Sequence, residues 1–216
     1  MKSVAVIGLG NFGFWVAKTL FNLGHEVMGI DVNKDAVQRS QAILSQAIIS
    51  DATKKETLIK LGLEHIDAAV VSTGDNVSAC TLITLHLKEI GIKKIVVKAI
   101  DEDHGRILEK VGATDVIFPE KDMGIKIAKS LTTPNILDYL SMTEDYEIAE
   151  LAPSKDFIGK SLVELDLSNR FRIQIIGVKE LVPERFTLIP PANFIIKDSD
   201  VLVVLGKNSD IERIKE

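Results

Sequence analysis

Three glycines, at positions 8, 10 and 13, constrain this chain more than any other feature. They stand in Gly8-Leu9-Gly10-Asn11-Phe12-Gly13, directly after the apolar run Val4-Ala5-Val6-Ile7 and directly before an amphipathic stretch from Phe14 to Leu23. Gly24 closes that stretch, and a second apolar run, Val27 to Ile30, ends on Asp31. The order strand, glycine-rich turn, helix, strand, acid is the dinucleotide-binding fingerprint. Gly8 permits the tight turn out of the strand, Gly10 lets a phosphate approach the backbone, and Gly13 lets the helix pack close on the sheet. The helix start offers unpaired N–H groups and the positive end of its dipole to an anion. Asp31 is placed to accept hydrogen bonds from ribose hydroxyls, and its charge repels a 2′-phosphate. Glycines at this spacing also arise by chance; the flanking strand, helix and acid give the motif its weight.

The same alternation continues. Asn33 to Leu44 reads as a helix with Asn33 as its N-cap, and Ala47-Ile48-Ile49-Ser50 as a third strand. Thr53 is expected to cap a helix from Lys54 to Leu61 that Gly62 stops. Ala68-Ala69-Val70-Val71 is a fourth strand, followed by the polar loop Ser72-Thr73-Gly74-Asp75-Asn76 and a longer helix, Val77 to Ile90. Ile95 to Ala99 and Val116 to Phe118 are strands five and six, with a short helix, His104 to Val111, between them. Strands apolar on both faces, alternating with helices, require a parallel sheet covered on both sides. The expected fold class is α/β, a Rossmann-type doubly wound parallel sheet.

Pro119 opens a further helix, Glu120 to about Leu131, whose Met123, Ile125, Ile127, Ala128 and Leu131 suit packing against another chain. After Thr132-Thr133-Pro134 the pattern changes. Tyr146 to Leu151 alternates like a strand with one solvated face, Ser161 to Leu165 is a short helix, and Arg172 to Val178 and Val201 to Leu205 are strands. A last helix starts near Ser209. The chain thus divides into a nucleotide-binding domain, residues 1–133, and a small α+β C-terminal domain, residues 134–216.

Composition excludes several classes. A net charge of −5 leaves no electrostatic footprint for nucleic acid or an anionic membrane surface. Cys80 is the single cysteine, so no intrachain disulfide and no cysteine metal cluster can form. The histidines, at 25, 65, 86 and 104, share no ligand spacing for zinc. No apolar run is long enough to span a bilayer, and Met1-Lys2-Ser3 enters a strand too soon for a signal peptide. The expectation is a soluble, cytoplasmic chain that reaches a membrane only through a partner.

The segments AVIGLGNFG (Ala5 to Gly13), GHEVMGID (Gly24 to Asp31), SDAT (Ser50 to Thr53) and KVGATDVIFPEKDMG (Lys110 to Gly124) follow one another at set intervals. DFIGKSLVELDL (Asp156 to Leu167) and SDVLVVLGK, ending at Lys207, continue the series. In this order they resemble the cytosolic regulatory subunits of Trk/Ktr potassium-uptake systems, the RCK proteins, over essentially the whole chain. Pro119-Glu120-Lys121-Asp122-Met123-Gly124 favours the Ktr branch. The resemblance implies a non-catalytic nucleotide sensor. It implies a homodimer that assembles into an octameric ring and docks on a membrane potassium transporter subunit of the TrkH or KtrB type. ATP/ADP or NAD(H) would bind the first domain, Mg²⁺ or Ca²⁺ would sit beside the phosphates, and cyclic di-AMP would bind the C-terminal domain, as in some members.

The resemblance also implies residue roles. Gly8, Gly10 and Gly13 match the phosphate loop, in which Asn11 and Phe12 also lie. Asp31, with Val32 after it, matches the ribose acid, and Asp51 and Ala52 the residues that meet the adenine. Ser72, Thr73, Gly74 and Asn76 match the loop along the phosphates. Lys98 closes the site, and Glu120 matches a divalent-cation ligand. Asn11 departs from the pattern, because many Ktr members carry arginine there. Each also has a plainer alternative: Asp51 as a turn acid, Thr73-Gly74 as a strand-to-helix loop, although loops at this edge face the crevice, and Glu120 as a first-turn acid favoured by the helix dipole.

Two other classes compete. A nicotinamide-dependent oxidoreductase needs an acid/base group in a substantial second domain. The residues after Tyr146 contain neither His nor a further Tyr. A redox-sensing transcription factor needs a basic helix-turn-helix, which neither end of the chain supplies.

Overall fold

The computed structural model describes residues 1–132, 136–143 and 145–215. The chain divides into two compact units, Met1–Glu120 and Lys121–Glu216. The expected boundary at 133/134 lies outside the described residues.

In the first unit β1 (Ser3–Ile7), α1 (Asn11–Asn22), β2 (Glu26–Asp31), α2 (Lys34–Ser40), β3 (Gln46–Ile49) and α3 (Lys55–Lys60) follow in order. They are followed by β4 (Ala68–Val71), α4 (Val77–Ile90), β5 (Lys94–Lys98), α5 (Glu102–Val111) and β6 (Asp115–Ile117). The six strands form a parallel sheet in the order β3-β2-β1-β4-β5-β6. Strand periodicity explains how both faces are covered. On β1, Ala5 and Ile7 point into a core with Leu58, Ile83, Leu87 and Leu108 from α3, α4 and α5. Val4 and Val6 point the other way, into a core with Ala17 of α1 and Val37 of α2. Each fully buried Val, Leu or Ile side chain here contributes about 1.5–3 kcal/mol relative to exposure. The doubly wound Rossmann-type sheet expected from the sequence is therefore present.

Helix ends follow local chemistry. Asn33 caps α2 by accepting from the Asp35 and Ala36 N–H groups, as expected. Asn76 accepts from Ala79 N–H at the start of α4, and Gly91 ends that helix at φ +98°. The Thr53 cap is not formed. Helix α3 starts at Lys55, with Lys54 at its N-cap and no side-chain bond, because Asp51 takes both the Thr53 N–H and hydroxyl.

Helix α6 (Pro119–Thr132) follows, with Met123, Ile125, Ile127 and Leu131 exposed. The second unit contains β7 (Ile136–Ser141), β8 (Tyr146–Leu151), α7 (Leu162–Leu165), α8 (Leu167–Phe171), β9 (Gln174–Leu181), β10 (Glu184–Leu188), β11 (Asp200–Lys207) and α9 (Asn208–Glu212). Its strands form an antiparallel sheet in the order β10-β9-β11-β8-β7. Ala149, Leu151, Val178, Leu202 and Val204 pack with Phe157, Leu165, Leu167 and Ile211 as its core. Ser161 and Glu164 form a capping box that starts α7. The strand expected from Arg172 starts later, at Gln174, because Arg172 takes a left-handed conformation (φ +58°) behind α8.

Candidate functional site

The chain winds outward from β1 to β3 and then returns to the other side of β1 at β4. Ligands of such sheets sit beyond the carboxyl ends of the strands at this switch point. A cleft of about 530 Å³ lies there. Ile7, Gly8 and Gly10 line it from the first loop, and Ile30, Asp31 and Val32 from the end of β2. Ser50, Asp51, Ala52 and Thr53 contribute after β3, and Ser72, Thr73, Gly74 and Asn76 after β4.

The three glycines are demanded for different reasons. Gly8 has φ +94°, and a Cβ there would stand 2.0 Å from the Ser72 carbonyl oxygen. A Cβ on Gly13 would stand 1.8 Å from the Gly8 carbonyl oxygen. These two positions exclude a side chain on packing grounds alone. Around Gly10 nothing lies within 4 Å of where its Cβ would be. Gly10 is also the N-cap of α1, makes no side-chain cap, and is followed by no acid in the first turn. The positive end of α1 therefore stands beside open space where an anion fits.

Asp31 is fixed by the backbone around it. Its Oδ2 accepts from Leu9 N–H at 2.6 Å and its Oδ1 from Asn33 N–H at 2.8 Å. Each carboxylate oxygen retains acceptor capacity for a ribose hydroxyl. Asp51 Oδ1 accepts from the Thr53 hydroxyl at 2.6 Å and its N–H at 3.0 Å. The Thr53 hydroxyl, then its N–H, hold the Asp51 carboxyl below the usual carboxylate range, so the cleft floor carries a second negative charge. Ser72 is buried, and the Thr73 hydroxyl donates to the Asn76 carbonyl at 3.4 Å.

Five expected site residues do not line the cleft: Asn11, Phe12, Gly13, Lys98 and Glu120. The Lys98 ammonium is instead ion-paired with the Glu120 carboxylate, which that bond holds below its ordinary pKa. Lys98 is well covered, its side chain 14% exposed, whereas that of Glu120 is 68% exposed. Among the described residues no group of three or more His, Cys, Asp or Glu is placed to hold a metal ion.

Residues 4–119 match the TrkA-N domain family and residues 146–216 the TrkA-C domain family. Ktr system potassium uptake protein A of Bacillus subtilis (strain 168) is 38% identical over 214 residues, covering 99% of this chain and 96% of that protein. Protein C of the same strain is 37% identical over 215 residues, covering 100% and 96% respectively. The chain belongs to the Ktr family of potassium uptake proteins. The fold is also that of the GsuK RCK domain (TM-score 0.69, 18% identity), with 99% of this chain and 47% of that one covered. The GsuK channel bound to NAD gives a TM-score of 0.65 at 18% identity, covering 97% of this chain and 38% of that one.

Several residues of this Ktr-family site escape a motif reading. Asn33 and Ala36 of the α2 start, and Ala79 and Ile83 of α4, complete the cleft wall. Arg39 is a further one: its Nη2 donates to the Leu9 carbonyl at 3.0 Å, and its guanidinium lies 4.9 Å over the Phe14 ring. In the TrkA-C unit a smaller hollow, about 220 Å³, is lined by Leu162, Val163, Leu167, Ser168, Gln174, Ile175, Pro190 and Ala192. Among the described residues no helix is long and apolar enough to cross a membrane.

Proposed function

We propose that this chain is a regulatory subunit that binds an adenine nucleotide and gates a membrane potassium transporter. The observation that carries the reading is the pairing, in one cleft, of an acid at the end of β2, Asp31, with the open N-terminus of α1 at Gly10. Full-length similarity to potassium uptake proteins supports what the binding is for. The ligand would place its ribose on Asp31, its adenine near Asp51 and Ala52, and its phosphates along Gly10, Ser72, Thr73 and Gly74. Asn11, Phe12 and Gly13 act through the helix start, and Lys98 through its pair with Glu120.

The gating acts by population shift. A ligand that prefers one arrangement of the assembly stabilises it by its differential affinity, and one that binds both equally gates nothing. In this reading residues 1–133 form the sensing and dimerising domain and residues 134–216 the C-terminal domain. The exposed apolar residues of α6 meet a second copy, and dimers close into an octameric ring on the inner face of the cell membrane. The hollow beside Leu162 and Ile175 is the place for cyclic di-AMP. Glu120 offers one carboxylate, so a cation there needs further ligands from a second copy or from phosphates. Full-length similarity to potassium uptake proteins supports a non-catalytic role.

Thermal unfolding with ATP, ADP, NAD, NADH and cyclic di-AMP, each with and without Mg²⁺ or Ca²⁺, tests the reading. Specific ligands raise Tm by mass action. If no adenine nucleotide raises it, the sensor reading is wrong. Steady turnover of NADH with keto acids would instead favour an oxidoreductase.

A further inference from the structure

We propose that Arg39 is a positioning residue for the phosphate loop, selective for the phosphate-bearing part of the ligand. The proposal rests on the nucleotide reading of the cleft and adds a residue that the glycine motif does not contain.

The loop has no cation of its own, because Leu9, Asn11 and Phe12 are uncharged. Arg39 brings one from the last turn of α2. Its Nη2 donates to the Leu9 carbonyl at 3.0 Å, while the preceding peptide is held by Leu9 N–H donating to Asp31 at 2.6 Å. The two successive peptides of Leu9 are thus gripped by side chains of opposite charge from one direction along the chain, the β2–α2 segment. In a trans peptide the C=O and the next N–H point in opposite directions. Fixing the Leu9 carbonyl toward Arg39 therefore fixes the Gly10 N–H on the opposite side. Gly10 lines the cleft, and the space beside it is open.

A cationic donor on the carbonyl also polarises that peptide and makes its N–H a stronger donor. The Phe14 ring beneath the guanidinium, 4.9 Å away, limits the rotamers Arg39 can adopt. Arg39 itself is exposed on α2, so its removal leaves the core intact. Adenine and ribose contacts come from other residues, chiefly Asp31, Asp51 and Ala52, and do not pass through the Leu9 carbonyl.

The test compares adenosine with ADP as calorimetric titrants of the full chain. In R39M, ADP affinity is expected to fall about tenfold, the scale of one charge-assisted hydrogen bond, with adenosine within about twofold of the parent. R39K, which keeps the charge and can reach the same carbonyl, is expected to restore most of the ADP affinity. Equal losses for adenosine and ADP, or no loss for ADP, overturn the proposal. Should R39M not fold, F14L removes the ring platform and carries the same expectation in weaker form. Parent protein that binds neither titrant removes the nucleotide reading itself, and this proposal with it.

Discussion

The place where Gly13 would carry a Cβ is 1.8 Å from the Gly8 carbonyl oxygen, closer than any two such atoms can stand. The first turn of α1 is therefore pressed directly on the loop that precedes it. At Gly10, between them, the space is open. The motif thus contains two glycines required by packing and one that leaves room for a ligand.

This contrast separates stability from binding. G13A is expected to cost about 3 kcal/mol or more, because backbone must move to admit the methyl group. G10A is expected to change stability by less than about 1 kcal/mol and to weaken ADP binding. Urea unfolding and calorimetry on both variants check this. Equal destabilisation by the two substitutions would contradict the assignment.

D31A removes the acceptor for the Leu9 and Asn33 N–H groups and the proposed ribose acid together. A stability loss of about 1–3 kcal/mol is expected from the two unmade bonds. The rise in Tm caused by ADP is expected to vanish. A rise of unchanged size would show that ribose lies elsewhere.

His104 is expected to make the first unit sensitive to mild acid. Its ring is buried, Nδ1 accepts from Ile100 N–H at 3.4 Å, and among the described residues Nε2 has no partner. Burial pushes its pKa below the ordinary 6.5, with Asp101 opposing in part. Because the folded value lies below the unfolded one, the unfolded state binds more protons between them. The contribution of neutral His104 is full above pH 6.5 and is lost as pH falls from there through the lower folded value. Unfolding free energy measured from pH 7.5 to 5 should fall less steeply in H104Q than in the parent. Parallel slopes would remove His104 as the cause.

Cys80 lies in the core with its thiol near the Lys98 carbonyl, 3.8 Å away, and burial raises its pKa. Thiolate is the reactive form, so alkylation is expected to be slow in the native protein. Labelling with iodoacetamide at pH 7.5 is expected to be at least about a hundredfold faster in denaturant, reflecting the small native population that opens. Comparable rates would mean that the thiol is accessible.

Much of the first unit is legible in its residues because the signal there is local. Val77–Ile90 has a polar cap at one end and glycine at the other, and the helix occupies that span. Ala68–Val71 is a purely apolar run and is a central strand. The second unit is harder to read. β10 lies between Pro183 and Pro190, residues that signal a loop, and becomes a strand only because β9 pairs with it. β7 carries no regular alternation and is likewise defined by its neighbour, β8. In the cleft, Asp31, Ser72 and Thr73 follow from their place at strand ends. Arg39 does not, because an arginine on an exposed helix face reads as solvated surface. Only the three-dimensional approach of α2 to the Leu9 carbonyl distinguishes it.

The central position of β1 has a consequence for how the chain is made. It is made before both of its neighbours in the sheet, and it needs β2 on one edge and β4, residues 68–71, on the other. Until β4 emerges, one edge of a strand with four buried apolar residues has no native partner. Parallel pairings of this kind close late and leave nascent chains prone to association. A ribosome that stalls before residue 68 therefore holds an open sheet edge that can pair with another nascent chain.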